Sequence, residues 1–284
     1  MTSESAVSKI PPDILRLRAA NPSPLTRSGT NCYLLRGGDG AVLIDAGPDM
    51  DCHIAATLAA LNGTPLRAIL ITHPHLDHSA AALRLAAQTG ARIYSFGPPA
   101  RHAGAGQEGA DFAHSPDVVL HDGAQISFGD IAIAALHTPG HMRGHLCFGY
   151  RDVLFSGDHV MGWATSLVGP PEGEMAAYRA SLRKLQGLPF AQYLPGHGEP
   201  VDDPAARLDY LIQHRNEREA QILAALADGT ASAETIAAKI YTDIPPALLP
   251  AAAQNVLAHL IELAALGRVI GPFSPMRSSV FALL

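Results

Sequence analysis

The sequence predicts an α/β or α+β domain, two sheets covered by helices, followed by a mostly helical C-terminal module. Three observations predict it. Short apolar runs bounded by Gly, Pro, Asn or Asp alternate with Ala- and Leu-rich stretches of helical spacing up to about residue 194. Near Val201 the composition shifts, and from Asp203 onward almost every segment is helix-forming, which divides the chain into 1–200 and 201–284. With 48% hydrophobic and only 16% charged residues, the 284-residue chain can bury a core in one large domain with a smaller attachment.

The first domain opens on a hairpin: residues 30–35 and 41–45 are expected strands, joined by the turn Gly37-Gly38-Asp39-Gly40. A helix follows over 51–61, a strand over 66–72, and an Ala-rich helix over 79–89 that Gly90 stops. Strand resumes at 92–96. Residues 98–116, rich in Gly and polar side chains, form a surface connection where a loop could overhang a site. Short strands are expected at 118–121, 131–137, 146–150 and 153–155, then a helix at 174–185 and a strand at 191–194.

In the second domain Asp203-Pro204 starts a helix whose apolar residues keep helical spacing over 207–226. Its string His214-Arg215-Asn216-Glu217-Arg218-Glu219-Ala220-Gln221-Ile222-Leu223 alternates charge, the pattern of a solvated helix face. Helices over 232–241 and 248–266 and a short hairpin of 267–270 with 280–281 complete the module.

The chemistry is concentrated in His73-Pro74-His75-Leu76-Asp77-His78, directly after the apolar run Ala68-Ile69-Leu70-Ile71-Thr72. So much imidazole and carboxylate at a strand end is expensive to hold unless a cation binds. In extended chain His73, His75 and Asp77 would line one side and His78 the other, an arrangement that suits two adjacent ions better than one. Three later turns each present one donor after an apolar segment: Thr138-Pro139-Gly140-His141, Phe155-Ser156-Gly157-Asp158 and Leu194-Pro195-Gly196-His197-Gly198. Glycine and proline let the backbone turn tightly there and present the donor at the strand end.

These residues make the chain resemble the metallo-beta-lactamase fold superfamily over about 29–198, where GTNCYLL, VLIDAG, ITHPHLDHS, TPGHMRGH, LFSGDH and LPGHG stand in the family's order. The resemblance implies a four-layered αββα sandwich. By position it also implies one metal held by His73, His75 and His141, a second by Asp77, His78 and His197, and Asp158 bridging both. A hydroxide between the ions would be the nucleophile. Asp158 stands where antibiotic-hydrolysing members of the commonest classes carry Cys, so another hydrolase is implied. After His78 many relatives have a Gly pair where this chain has Ser79-Ala80-Ala81-Ala82, which are good helix formers. The string HRNEREAQIL is similar to a segment of the subgroup that includes a mitochondrial endoribonuclease and fungal polyketide-releasing thioesterases, which implies a winged helix for the C-terminal module.

A divalent cation lowers the pKa of its water toward about 7 and polarises carbonyl or phosphoryl oxygen, so hydrolysis is the expected reaction. Imidazole with carboxylate favours zinc and admits iron or manganese. Asp77, His145 and His159 are the candidate catalytic side chains, the two histidines as proton donors to a leaving group because imidazole titrates near neutral pH. Thr72, Thr138 and Ser156 could orient ligands, and Met161 with Trp163 could form an apolar wall beside the metals.

An ester, thioester or lactone is the expected substrate. The alternatives are a single-stranded RNA endonuclease and a non-enzymatic metal-containing binding or regulatory protein. Phosphate binding needs clustered Lys and Arg, but residues 250–263 contain neither and the net charge is −6, so the module is expected to serve packing or dimerisation, with a homo-oligomer as one outcome. The polar start of the chain and the lack of an uninterrupted apolar run of about 18 residues give the expectation of a cytoplasmic protein without membrane contact. Cys32, Cys52 and Cys147, widely spaced and odd in number, suit buried thiols in a reducing compartment.

Overall fold

The computed structural model describes residues 10–101 and 109–284. Strand β1 (Ile14–Arg18) pairs antiparallel with β2 (Asn31–Gly37), which continues antiparallel into β3 (Gly40–Ile44). After helix α1 (Asp51–Leu61), β4 (Leu66–Leu70) joins β3 in parallel. Two helical pieces, α2 (Leu76–Ser79) and α3 (Ala82–Thr89), lead to β5 (Arg92–Ser95) and then β6 (Val118–Val119), which complete a six-stranded sheet.

The second sheet is a meander of β7 (Gln125–Phe128), β8 (Ile131–His137), β9 (Leu146–Tyr150) and β10 (Val153–Gly157). Helix α4 (Met175–Gln186) then returns the chain so that β11 (Gln192–Pro195) adds in parallel to β10. Beyond α5 (Pro204–Ala227), the C-terminal module comprises β12 (Ala231–Ser232), α6 (Ala233–Ile240), α7 (Leu249–Ala265), β13 (Val269–Ile270) and β14 (Val280–Leu283). Its three strands pair in the order β12-β14-β13.

Strand alternation creates the layers. Along β2, Tyr33 and Leu35 face the second sheet, where they share a core with Phe148, Phe155 and Leu194. Cys32 and Leu34, one residue out of step, pack with Ile54 and Leu61 of α1 and Leu85 of α3. Leu154 and Tyr193 on the outer face of the second sheet are sealed by Tyr178, Leu182 and Leu185 of α4 and Leu208 and Leu211 of α5. The result is the αββα sandwich, with both faces of each sheet covered.

Several elements differ from expectation, each for a physical reason. Strands β1 and β7 were not expected; each lies at an edge of its sheet, and their sequences ILRLR and QISF interleave polar residues with apolar ones. The helix expected over 79–89 comes in two pieces, because the Ala81 N–H bonds to the Gly47 carbonyl at 3.1 Å instead of continuing the helical ladder. Of the connection over 98–116, residues 102–108 lie outside the described residues; its far end returns to the site, where the Leu76 N–H donates to the Gly109 carbonyl at 2.8 Å. Cys32 and Cys147 are buried as expected, but Cys52 is exposed on α1.

Helix α5 begins where the composition shifts, capped by Asp203, whose side chain accepts from the Ala206 N–H. It belongs to both domains. Leu208 and Leu211 pack under the second sheet, whereas Ile222, Ala225 and Leu226 pack with Val256, Leu257 and Leu260 of α7. The stretch Pro246–Ala265 is long and apolar enough to cross a membrane by length and composition, with half of it buried in the C-terminal core and against the first domain.

Candidate metal centre

The strand ends bring the donors together. Beyond β4 the chain turns to His73, beyond β8 to His141, directly beyond β10 to Asp158, and beyond β11 to His197. Close approach depends on Gly196, where an added Cβ would stand 2.6 Å from both Asp158 Oδ1 and the His78 ring.

The alternation argument for the cluster is corrected by the backbone. Residues 73–78 are not a continued strand: β4 ends at Leu70, His75 is the N-cap of α2, and Asp77 and His78 sit on that helical turn. The turn re-aims them. Adjacent positions about 100° apart on a helix can share one set, which extended chain would have pointed to opposite sides.

Two donor sets result. His73 Nε2 lies 3.0 Å and His141 Nε2 3.1 Å from His75 Nδ1. In the second set His197 Nε2 lies 3.4 Å from His78 Nε2 and 3.3 Å from Asp77 Oδ2. Asp158 faces both: Oδ2 is 3.8 Å from His141 Nε2 and 3.4 Å from His197 Nε2, and Oδ1 is 3.5 Å from His78 Nε2. All seven expected ligands therefore converge, in the two sets and with the spanning carboxylate that the resemblance implies.

The outward nitrogens fix which atoms face inward. Thr72 donates its only hydroxyl proton to Asp45 Oδ2 at 2.9 Å, so toward His73 Nδ1, 3.0 Å away, it can only accept. The Leu167 and Gly29 carbonyls likewise accept from His141 Nδ1 (2.6 Å) and His197 Nδ1 (3.3 Å), and Asp45 Oδ2 accepts from His78 Nδ1 at 2.8 Å. The four Nε2 lone pairs therefore point into the centre, beside the Nδ1 of His75, as metal ligation requires. Lone pairs about 3 Å apart repel unless positive charge lies between them, and buried Asp158 Oδ1 has no hydrogen-bond partner. The residues fit a pair of divalent cations.

Titration behaviour points the same way. Burial pushes the His73 pKa well below its ordinary value, that of His75 down to about 3, and that of His141 down, which keeps all three neutral. Burial also opposes charge on His78 and His197, but the carboxylates of Asp77 and Asp158, joined by Asp45 at His78, outweigh it; His78 is raised well above its ordinary value and His197 to about 9. Protons there stand in for cationic charge.

The chelated protein should therefore show a stability maximum near pH 6.5. His75 binds fewer protons folded than unfolded between about 3 and 6.5, so its contribution is lost as pH falls through that window. The proton on His197 stabilises fully below about 6.5, and this is lost as pH rises through about 9. Urea unfolding from pH 4 to 9.5 in chelator checks it; a midpoint that climbs steadily from 6.5 to 9 would contradict it.

The other candidates fall elsewhere. His145 and His159 are fully buried and do not line the cavity above the centre. His145 stacks behind His73 at 5.1 Å between ring centroids, bonded through Nδ1 to Thr138 Oγ1 at 2.9 Å; His159 lies against Tyr178. Neither is placed to protonate a leaving group. Thr72 does orient a ligand, Thr138 serves His145, and the Ser156 hydroxyl donates to the Val160 carbonyl within its own turn.

Three contributors were not singled out from sequence. Asp45 accepts from Thr72 and His78, Thr30 Oγ1 donates to Asp77 Oδ2 at 3.0 Å, and Asn31 ties the His197 turn to β2 through the Pro195 and Gly198 carbonyls. Each lies in a quoted motif, VLIDAG or GTNCYLL; the available signal was a polar residue inside an otherwise apolar strand motif.

Above the donors opens a cavity of about 430 Å³, floored by His75, Asp77, His141, Asp158 and His197. Leu25, Met161, Trp163 and Leu167 wall it from the first domain, Ile244, Leu248 and Ala251 from the second. Trp163 thus forms the wall expected of it, anchored by its Nε1–H to the His197 carbonyl at 3.2 Å.

Known proteins resemble this chain in sequence and fold. Residues 25–197 match the metallo-beta-lactamase superfamily, and residues 232–271 the beta-lactamase associated winged helix domain. A Drosophila melanogaster protein named beta-lactamase-like protein 2 homolog is 29% identical over 93% of this chain and 92% of its own. The atrochrysone carboxyl ACP thioesterase of Aspergillus fumigatus is 31% identical over 78% of this chain and 67% of its own. A beta-lactamase domain protein from Burkholderia ambifaria has the same fold, with a TM-score of 0.81 at 22% identity over 99% of this chain and 96% of that one. With its catalytic fold, its donor order and its C-terminal winged helix, the chain belongs to the metallo-beta-lactamase superfamily of hydrolases.

Proposed function

We propose that this chain hydrolyses thioesters with an apolar acyl group, using two divalent cations held by His73, His75 and His141 and by Asp77, His78 and His197, with Asp158 facing both. The carrying observation is the cavity. Outside the donor set its lining offers no imidazole, ammonium, guanidinium or carboxyl group among the described residues, and much of it is apolar. Beyond the two cations on the floor, a phosphodiester backbone would find no ammonium or guanidinium among the lining residues, whereas an acyl chain would be desolvated against Trp163 and Leu248.

The leaving group follows from the same lining, in which the one titratable side chain outside the donor set, among the described residues, is the weakly acidic phenol of Tyr241. An alkoxide or amine needs a proton donor to depart, but a thiol of pKa about 8.5 leaves as thiolate without one. The thioesterase named among the relatives supports this.

Bound cations would supply a hydroxide near neutral pH and polarise the carbonyl oxygen. The donor set is imidazole with carboxylate, which favours zinc and accepts iron or manganese. The protein's own part is positional: Thr30 holds the Asp77 carboxylate, and Trp163, Met161 and Leu248 exclude water from the acyl side.

The test is a panel on metal-loaded protein: acyl N-acetylcysteamine thioesters of increasing length, the matching oxygen esters, a lactone, a phosphodiester and single-stranded RNA. Each methylene desolvated contributes about 0.8 kcal/mol, so kcat/KM should rise roughly fourfold per methylene until the cavity is filled. Trp163→Ala should flatten that slope. RNA cleavage lost in Asp158→Ala, without thioester turnover, would overturn the proposal.

A further inference from the structure

The charged string on α5 expected to be a solvated helix face hides its first arginine. Arg215 is fully buried, and no carboxylate pairs with it among the described residues. Its guanidinium donates to the Ser166 carbonyl and to Asn255 Oδ1 at 3.2 Å, and its centre lies 4.9 Å from the Tyr178 ring centroid. A buried charge without a counter-charge is costly, so these acceptors and the aromatic face must hold it.

Its partners bracket one peptide. Asn255 Oδ1, on α7, also accepts from the Val168 N–H at 3.0 Å, so residues 166 and 168 are both held from the C-terminal helices. Leu167 lies between them, and its carbonyl is the acceptor that orients His141 at 2.6 Å. Arg207, earlier on α5, holds the same loop at the Met161 and Ala164 carbonyls, both at 2.7 Å.

We infer that Arg215, acting with Asn255, is a positioning residue for the His73–His75–His141 donor set. It fixes the Leu167 carbonyl, and that carbonyl fixes the tautomer and ring angle of His141. The C-terminal module thereby completes the metal centre as well as walling the cavity. Lysine cannot substitute, because a single ammonium does not span both acceptors while stacking on an aromatic face.

Chelator-competition titration of the full chain with Co²⁺ tests this, with His141→Ala as the reference that identifies which binding step belongs to the His73–His75–His141 set. Arg215→Lys should weaken that step by about 10- to 100-fold and leave the other within about threefold. Asn255→Leu should do the same, whereas Asn255→Asp, which keeps the Oδ1 acceptor, should retain wild-type binding. If Arg215→Lys fails to fold by circular dichroism, the Asn255 pair decides. Unchanged binding at that step in folded variants, or equal weakening of both steps, would overturn the inference, the latter by revealing a packing role only.

Discussion

Asp158→Ala is expected to abolish turnover and weaken cation retention at both donor sets together. Asp158 lies within 4 Å of donors from each, with Oδ2 near His141 and His197 and Oδ1 near His78. Burial alone would raise its pKa, yet the charges of His197 and His78 hold it well below the ordinary carboxylate value. The carboxylate is therefore ionised when a cation arrives. Its loss removes negative charge shared by both sets, and a Lewis-acid contribution of about 4 kcal/mol corresponds to a fall of about a thousandfold in kcat. Metal equivalents after desalting, measured beside thioester turnover, check both halves. Two retained equivalents with normal turnover would sink the assignment.

Asp45→Ala should cost both stability and metal affinity. Its carboxylate accepts from the Thr72 N–H at 2.7 Å, the Thr72 hydroxyl at 2.9 Å and His78 Nδ1 at 2.8 Å, all buried. Each donor left without a partner costs about 1–3 kcal/mol, so a loss of about 3 kcal/mol or more in unfolding free energy is expected. Affinity at the His78 set should fall about 10- to 100-fold, because nothing then holds the ring with Nε2 inward. Asp45→Asn separates the two effects. Its amide oxygen can still accept from the Thr72 N–H, but its NH₂, in the place of Oδ2, would face the Thr72 hydroxyl as a donor and His78 Nδ1, favouring the tautomer with the proton on Nε2, directed into the centre. Asparagine should therefore spare much of the stability and little of the affinity. Urea midpoints with chelator competition distinguish the two; equal affinity in wild type and Asp45→Asn would remove the tautomer argument.

Legibility in the sequence followed how local the determinant is. Helix α1 begins and ends where its pattern predicts, and β8 and β9 match residue for residue, because the local pattern carries the signal in each. The edge strands β1 and β7 escaped, since Arg16 and Arg18 interrupt the row that Ile14 begins and only Ile126 and Phe128 of β7 reach the core. At the centre the side chains that converge were legible from the dense cluster and the Gly- and Pro-marked turns. The geometry proposed for the cluster was not, because the Leu76 N–H bonds to the Gly109 carbonyl far along the chain and lets α2 begin where extended chain was expected.

The sequence by itself pointed to the layered domain, through the resemblance its motif order carries, and, through composition and spacing, to the helical module after it and the seven side chains that converge at the centre. Only the tertiary structure decided that His145 and His159 stand behind the centre and that α5 belongs to both domains. It also turned Arg215 from an expected surface charge into a buried clamp on the loop that orients His141. The physical reason is common to all three. Whether a histidine or an arginine faces water, a cavity or a carbonyl depends on what packs against it from residues far away in the chain, and a local pattern of charge carries no record of that neighbour.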